Sequence, residues 1–167
     1  MRHLLLLPLV FAACASGPVR TAAATQEQQA ALLDRVKAMA GTWEVRVPEQ
    51  PPGTSTFTVS SSGSIVREIM FPGTEHEMTN VYHMDGGTLV MTHYCAAGNQ
   101  PRMRARAEPG NAIRFEFDSV TDAQPDEHCM ATLVLTFVDQ DHATAQWSNV
   151  GKEAPAGSVQ FEMQRTK

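Results

Sequence analysis

The segment TNVYHMDGGTLVMTHYC, residues 79–95, contains two alternating runs of residues on either side of a glycine-rich turn. This pattern predicts a β-hairpin whose turn is either Asp85-Gly86 or Gly86-Gly87. Both turns sort the side chains into the same two faces. The more apolar face carries Met78, Asn80, Tyr82, Met84, Leu89, Met91, His93 and Cys95. We expect this face to point into the protein interior, because a strand buries its apolar side.

The same alternation continues along most of the chain after Gly41. Trp43, Val45 and Val47 are separated by charged residues, as expected for a strand with one buried face. Comparable runs occupy 101–107, 112–118 and 159–165, and further strands are expected near 54–60, 63–71, 77–84, 87–95, 130–138 and 142–149. About ten short strands without intervening helices predict an antiparallel sandwich or barrel. We favour the barrel, since closure removes exposed sheet edges.

One amphipathic helix is expected before the first strand. Thr25 and Gln28 have the spacing of a capping box, and Gly41 provides a stop. Apolar residues recur at helical spacing between them, at Leu32, Leu33, Val36, Met39 and Ala40. The sequence thus predicts a single all-β domain over residues 26–167, with one N-terminal α-helix that closes one barrel mouth.

The first residues resemble an export signal. Arg2 precedes a short apolar run that cannot span a bilayer, which predicts a signal peptide over 1–13. Ala12-Ala13-Cys14 resembles a bacterial lipobox, with Phe11 where Leu is usual, and implies lipidation of Cys14. Residues 14–25 then form a flexible tether. We expect an exported protein, either periplasmic or a lipoprotein held at a membrane by its lipid; the alternative is ordinary cleavage after a nearby Ala.

Charge and cysteine content limit the partners. The net charge is −5 and there is no basic stripe, so nucleic acid is not expected as a partner. Cys95 and Cys129 could form a disulfide in an exported protein, closing a loop of roughly 34 residues worth about 3–4 kcal/mol. The alternative is two unpaired buried thiols. The sequence gives no indication of oligomeric state.

Polar groups on the apolar hairpin face are the first candidate site. Asn80, Tyr82 and His93 would lie inside the barrel, where each needs a hydrogen-bond partner. They either form an internal network or orient a ligand in a cavity. The turn that follows contains Asn99, Gln100 and Arg102, which could line the open mouth and bind a polar head group. Ordinary turn chemistry is the alternative for these three residues.

Two resemblances bear on the fold. Gly41-Thr42-Trp43 resembles the G-x-W signature of lipocalins and their calycin relatives, which implies that Trp43 packs across the closed end under Arg165. The stretch VYHMDGGTLVMTHYCAAGNQPRMRA, residues 81–105, is similar to uncharacterised secreted bacterial proteins of the calycin class. Distant relatives of such barrels include fatty-acid carriers and haem-binding nitrobindin-like proteins. No cofactor is otherwise expected, and haem or a metal held by His93 is the alternative that this resemblance implies.

No catalytic motif is evident. The chain lacks a nucleophile elbow, a phosphate loop and paired carboxylates, so catalysis would depend on His93 as a base. The sequence favours a binding protein for a small, largely apolar molecule with one polar end. The alternatives are a haem or metal barrel, a structural envelope lipoprotein with a filled core, and a hydrolase or isomerase.

Overall fold

The computed structural model describes residues 20–151 and 157–167. The predicted signal peptide, Cys14 and the first part of the tether lie outside the described residues, as do residues 152–156. Residues 20–25 belong to no helix or strand. Within the described part of the chain, no helix has the length and apolar character needed to cross a membrane.

Two short helices precede ten strands. The helices are α1 (Gln26–Ala31) and α2 (Leu33–Lys37). The strands are β1 (Gly41–Arg46), β2 (Gly53–Ser60), β3 (Ile65–Met70), β4 (Met78–Asp85), β5 (Thr88–Tyr94), β6 (Gln100–Ala105), β7 (Ala112–Thr121), β8 (Cys129–Phe137), β9 (His142–Val150) and β10 (Ser158–Arg165).

The strands close into one antiparallel barrel in the order β1-β10-β9-β8-β7-β6-β5-β4-β3-β2. Each strand pairs with its sequence neighbours, and β1 pairs with β10 to complete the ring. The structure therefore confirms the predicted all-β, calycin-like barrel. Closure leaves no unpaired edge strand, which is the reason that the alternation of ten short strands favoured it.

The β4–β5 hairpin turns at Gly86-Gly87, the second of the two predicted turns. In this register Asn80 lies directly opposite His93. Gly86 adopts a φ of 60°, which favours glycine. A β-carbon on Gly87 would clash with the end of the Gln28 side chain, so a larger residue there would push that side chain aside. Glycine at this position thus lets Gln28 of α1 pack closely against the turn.

The expected N-terminal helix is divided at Leu32. Thr25 and Gln28 form the predicted capping box at its start. Leu32 then leaves helical geometry, with φ −126° and ψ −83°, and a second helix begins at Leu33. Leu32, Leu33 and Val36, the apolar residues at and after this break, all have buried side chains.

The end of the barrel beneath the helices is closed around Trp43. Its indole N–H donates to the Met39 carbonyl at 2.8 Å. The Arg165 guanidinium lies 4.3 Å from the Trp43 ring centroid, and it donates to the carbonyls of Ala40 and Ala38 at 2.7 and 2.8 Å. Such a cation–π contact contributes about 0.5–2 kcal/mol.

The half of the interior nearest the helices is filled by apolar side chains. They come from both helices and from most strands: Leu32, Leu33, Val36, Val66, Leu89, Ala105, Ile113, Phe115, Leu135 and Ala143. Room for a ligand must therefore be sought toward the other end, where the loops between β1 and β2 and between β3 and β4 lie.

Candidate functional site

Inward polar side chains on four adjacent strands form a buried cluster in the half of the barrel away from the helices. Ser55 lies on β2, Glu68 on β3, Asn80 and Tyr82 on β4, and His93 on β5, and all are buried. Cross-strand pairing places Glu68 opposite Asn80 and Asn80 opposite His93. The barrel register thus aligns a carboxyl, an amide and an imidazole in one row.

Glu68 is the hub of this cluster. Its carboxyl accepts hydrogen bonds from the Ser55 hydroxyl at 3.1 Å, the Asn80 amide at 2.7 Å and the Tyr82 hydroxyl at 2.8 Å. Burial raises the pKa of Glu68, and the three hydrogen bonds oppose that shift without cancelling it. Burial and the adjacent Glu68 carboxyl together hold the pKa of Tyr82 well above its ordinary value.

Asn80 connects Glu68 to His93 and fixes the imidazole tautomer. Because the Asn80 NH₂ donates to Glu68, its carbonyl oxygen faces the ring, 2.7 Å from His93 Nδ1. Nδ1 therefore carries the proton and donates, which leaves the Nε2 lone pair available. Burial lowers the pKa of His93 to about 4, so the imidazole is neutral near pH 7.

A second polar ring lies against His93. Trp147 projects inward from β9, and its ring centroid is 5.2 Å from that of His93 at an interplanar angle of 46°. Both side chains are buried, with 1% of His93 and 3% of Trp147 exposed. Neither His93 Nε2 nor Trp147 Nε1 has a hydrogen-bond partner among the described residues. The pair thus offers one free acceptor and one free donor in a buried place.

An apolar hollow of about 430 Å³ lies at the end of the barrel opposite the helices. Its lining comes from the β1–β2 loop, the β3–β4 loop and the start of β10: Val47, Gln50, Pro51, Pro52, Gly53, Phe71, Thr74, His76, Met78, Val159 and Phe161. We refer to this space as the mouth hollow. Most of its walls are hydrocarbon, and its polar groups are few.

The mouth hollow borders the buried polar cluster on two sides. Val159 lines the hollow and is the cross-strand partner of Trp147. Met78 also lines it and lies opposite Met70, whose sulfur is 3.3 Å from the Asn80 amide nitrogen. Met78 and Asn80 are two residues apart on one strand face, a distance of about 7 Å. Neither His93 nor Trp147 lines the hollow itself.

Asn99 and Gln100, which we expected at the open mouth, instead form hydrogen bonds near the β5–β6 and β7–β8 loops. Asn99 is fully buried, and its amide donates to the Glu127 carboxylate at 2.8 Å and to the His128 carbonyl at 3.0 Å. Gln100 accepts from the Thr121 hydroxyl at 2.9 Å. Asn99 thereby holds the β5–β6 loop against the β7–β8 loop, and neither residue lines the mouth hollow.

Arg102 lies on the outer face of β6. Its inward neighbours Pro101 and Met103 are buried, and the guanidinium lies 3.5 Å from both Asp85 and Asp118. The same two carboxylates pair more closely with Arg104, at 2.9 and 3.0 Å. The structure places Arg102 in an external ion-pair network and does not bring it to Asn80, Tyr82 or His93.

Cys95 and Cys129 are free thiols in this structure. Burial raises the pKa of Cys129, and the neighbouring Cys95 adds to that shift, so the two sulfurs are close enough to interact. They flank the same two loops that the Asn99 amide joins. The disulfide between them stays a prediction.

Three residues of the site escaped the sequence analysis, namely Ser55, Glu68 and Trp147. Glu68 shares a strand face with Val66 and Met70, which are both buried in the structure. The residues on the opposite face, Ile65 and Ile69, are also apolar, so the sequence gives no clear signal. Among residues 20–151 and 157–167, no three His, Cys, Asp or Glu side chains are grouped as metal ligands.

Comparison with known proteins finds a similar fold but identifies no family for this chain. No protein-family model matches this chain, and no curated protein matches it significantly. Among solved structures, the crystal structure of Rv2717c from M. tuberculosis matches with a TM-score of 0.55 and 12% sequence identity. The match covers 87% of this chain and 100% of that chain. At such low identity, the likeness shows a shared barrel fold and nothing further.

Proposed function

We propose that this barrel binds a small, largely apolar molecule in the mouth hollow, with the polar end of that molecule directed toward His93 and Trp147. The observation that carries the proposal is an apolar hollow of about 430 Å³ whose wall residue Val159 pairs across the strands with Trp147, one of two buried rings that have a nitrogen without a partner in the described part of the chain. Ligand sites in proteins combine apolar walls with a few convergent polar groups.

The walls of the mouth hollow favour an apolar occupant. Phe71, Met78, Val159 and Phe161 are only partly buried, although they belong to the apolar core or pack against it. Covering such side chains contributes about 25 cal/mol for each Å² of apolar surface removed from water. Methionine adapts its shape easily, so Met78 suits a site that takes a flexible hydrocarbon.

The polar residues have different roles in this proposal. Asn80 and Tyr82 already donate to Glu68, so we assign them to holding the network in place. His93 has the unused atom and would contact the ligand directly. Export, the lipid on Cys14 and membership of a secreted calycin-like family remain proposals from the sequence, and a lipid anchor would place this binding domain at a membrane surface.

The experiment uses N-phenyl-1-naphthylamine, a neutral apolar dye that becomes fluorescent when it leaves water. We expect the purified protein to bind it saturably. Val159→Asp places a charge in the mouth hollow and should abolish binding. Gln160→Asp is the matched control, because Gln160 is the exposed neighbour on the same strand and should leave binding unchanged. Equal binding by both variants, or no saturable binding by the native protein, would overturn the proposal.

Haem is the second candidate, and one observation favours it. His93 donates through Nδ1 to Asn80 and keeps Nε2 free, which is the arrangement of histidines that ligate metals. Iron would take Nε2, and Asn80 would hold the ring orientation. Trp147 lies against this ring and would have to move to make room for haem. A Soret band on haemin titration that His93→Ala removes would favour this candidate.

A further inference from the structure

We infer that the polar end of the ligand is a neutral hydroxyl group, so that the molecule bound is an alcohol and not an ionised carboxylate. This inference rests on the proposed function and deepens it, because it names the chemical class of the ligand. It depends on three features of the buried site: the atoms that are free, the charges that surround them, and the route from the mouth hollow.

The two free atoms require a group that both donates and accepts. His93 Nε2 can only accept, because Nδ1 holds the proton, and Trp147 Nε1 can only donate. A hydroxyl can donate to the first and accept from the second. An ether or a carboxylate can only accept, and an ammonium can only donate, so each would leave one ring nitrogen unpaired. A buried polar group without a partner costs about 1–3 kcal/mol.

The charges around the site exclude an ionised ligand group. The buried polar and charged side chains among the described residues are Ser55, Glu68, Asn80, His93 and Asn99, and none is a lysine or an arginine. Arg102 and Arg104 lie outside the barrel and pair with aspartates there. A carboxylate at His93 would be buried without a counter-ion and near the Glu68 carboxyl, which is strongly unfavourable.

The mouth hollow provides the path for the hydrocarbon part. Val159 forms a wall of the hollow and pairs across the strands with Trp147. We expect the Val159 side chain to move aside, so that a chain lying in the hollow reaches the indole and the imidazole. Before a ligand binds, water can satisfy either ring nitrogen, since water also donates and accepts. The ligand hydroxyl replaces that water without loss of hydrogen bonds.

The test compares three probes of equal chain length: 1-decanol, decyl methyl ether and decanoate at pH 8. Each is titrated against protein loaded with N-phenyl-1-naphthylamine, and displacement gives its affinity. We expect 1-decanol to bind at least about tenfold more tightly than the ether, which lacks the donor. Decanoate should be the weakest of the three.

Two variants test whether the preference for decanol depends on the two ring nitrogens. Trp147→Phe keeps a ring and removes the N–H, and His93→Phe removes the acceptor. His93→Phe should bring decanol to the affinity of the ether, because both probes can then only accept from Trp147. Trp147→Phe should weaken decanol and ether alike, because both lose the indole donor, and decanol should stay the tighter of the two. If His93→Phe fails to fold, unchanged binding of both probes to Trp147→Phe would contradict the inference. Equal native affinities for decanol and ether, or tighter decanoate binding, would overturn this inference and leave the mouth hollow as an apolar site. Failure of the dye itself to bind would instead overturn the proposed function.

Discussion

Acidification should destabilise this protein through the buried imidazole of His93. Burial lowers the pKa of His93 from 6.5 to about 4, and its Nδ1 already donates to Asn80. Protonation would add a charge at Nε2, where the structure offers no acceptor. The folded state therefore binds this proton less readily than the unfolded chain does. Stability that is present above pH 6.5 is lost as the pH falls toward 4.

The size of this loss follows from linkage. A histidine of pKa 6.5 in the unfolded chain and about 4 in the folded protein lowers the free energy of unfolding by about 2 kcal/mol at pH 5. Well below pH 4 the loss approaches about 3 kcal/mol. Glu68 acts in the opposite direction, since burial raises its pKa and its neutral form is favoured by folding. Measurements on the native protein alone would mix the two effects.

The assay is urea unfolding followed by tryptophan fluorescence at pH 8, 6.5 and 5, with His93→Gln beside the native protein. Glutamine can still donate to Asn80 and does not titrate, so the difference between the two proteins isolates the imidazole. His142→Gln is the control, because His142 is exposed and pairs with Asp139 at the surface. If His93→Gln loses as much stability on acidification as the native protein does, or if NMR titrates the His93 ring near pH 6.5, the reasoning is refuted.

Three further predictions concern the rest of the molecule. Glu68→Leu removes the acceptor of three buried donors and should cost on the order of 3 kcal/mol in urea unfolding, whereas Glu68→Gln keeps an acceptor oxygen and should cost less. Arg165→Lys should lower stability by about 1–2 kcal/mol, because an ammonium cannot span two carbonyls and the Trp43 ring as a guanidinium does; an unchanged melting temperature would contradict this. Oxidised protein should contain a Cys95–Cys129 bond and gain about 3–4 kcal/mol, and two free thiols after oxidation would refute the pairing.

The architecture was predictable because each strand repeats the same physical pattern. Trp43, Val45 and Val47 point to one side of their strand, and the hairpin sequence allowed only turns that put Asn80 and His93 on one face. Where apolar and polar residues alternate cleanly along a strand, the sequence shows which face of the strand is buried. The division of the helix at Leu32 was not predictable, since its cause is packing against the barrel and not helix propensity.

The site was only half predictable, because its hub lies on a strand without clean alternation. In β3, Ile65 and Ile69 occupy one face while Val66 and Met70 occupy the other, so the sequence does not say which face is buried. Glu68 then resembles a surface carboxylate. Only the pairing of β3 with β4 turns it inward, opposite Asn80. Arg102 is the opposite case, because we expected it to line the mouth and it lies on the outer face of β6. A polar turn sequence does not show on which side of the barrel wall a side chain lies.

The free ring nitrogens argue against a barrel whose interior is merely filled. A purely structural core could replace Trp147 by phenylalanine and lose no hydrogen bond within the described part of the protein. As built, two buried polar atoms lack a protein partner, and each costs about 1–3 kcal/mol unless water or a ligand satisfies it. Asn80 and Glu68 also fix the tautomer of His93, which a side chain that only fills the core does not require. Unpaired ring nitrogens and a fixed tautomer are both expected where an interior group binds another molecule. In our proposal, the mouth hollow admits that molecule.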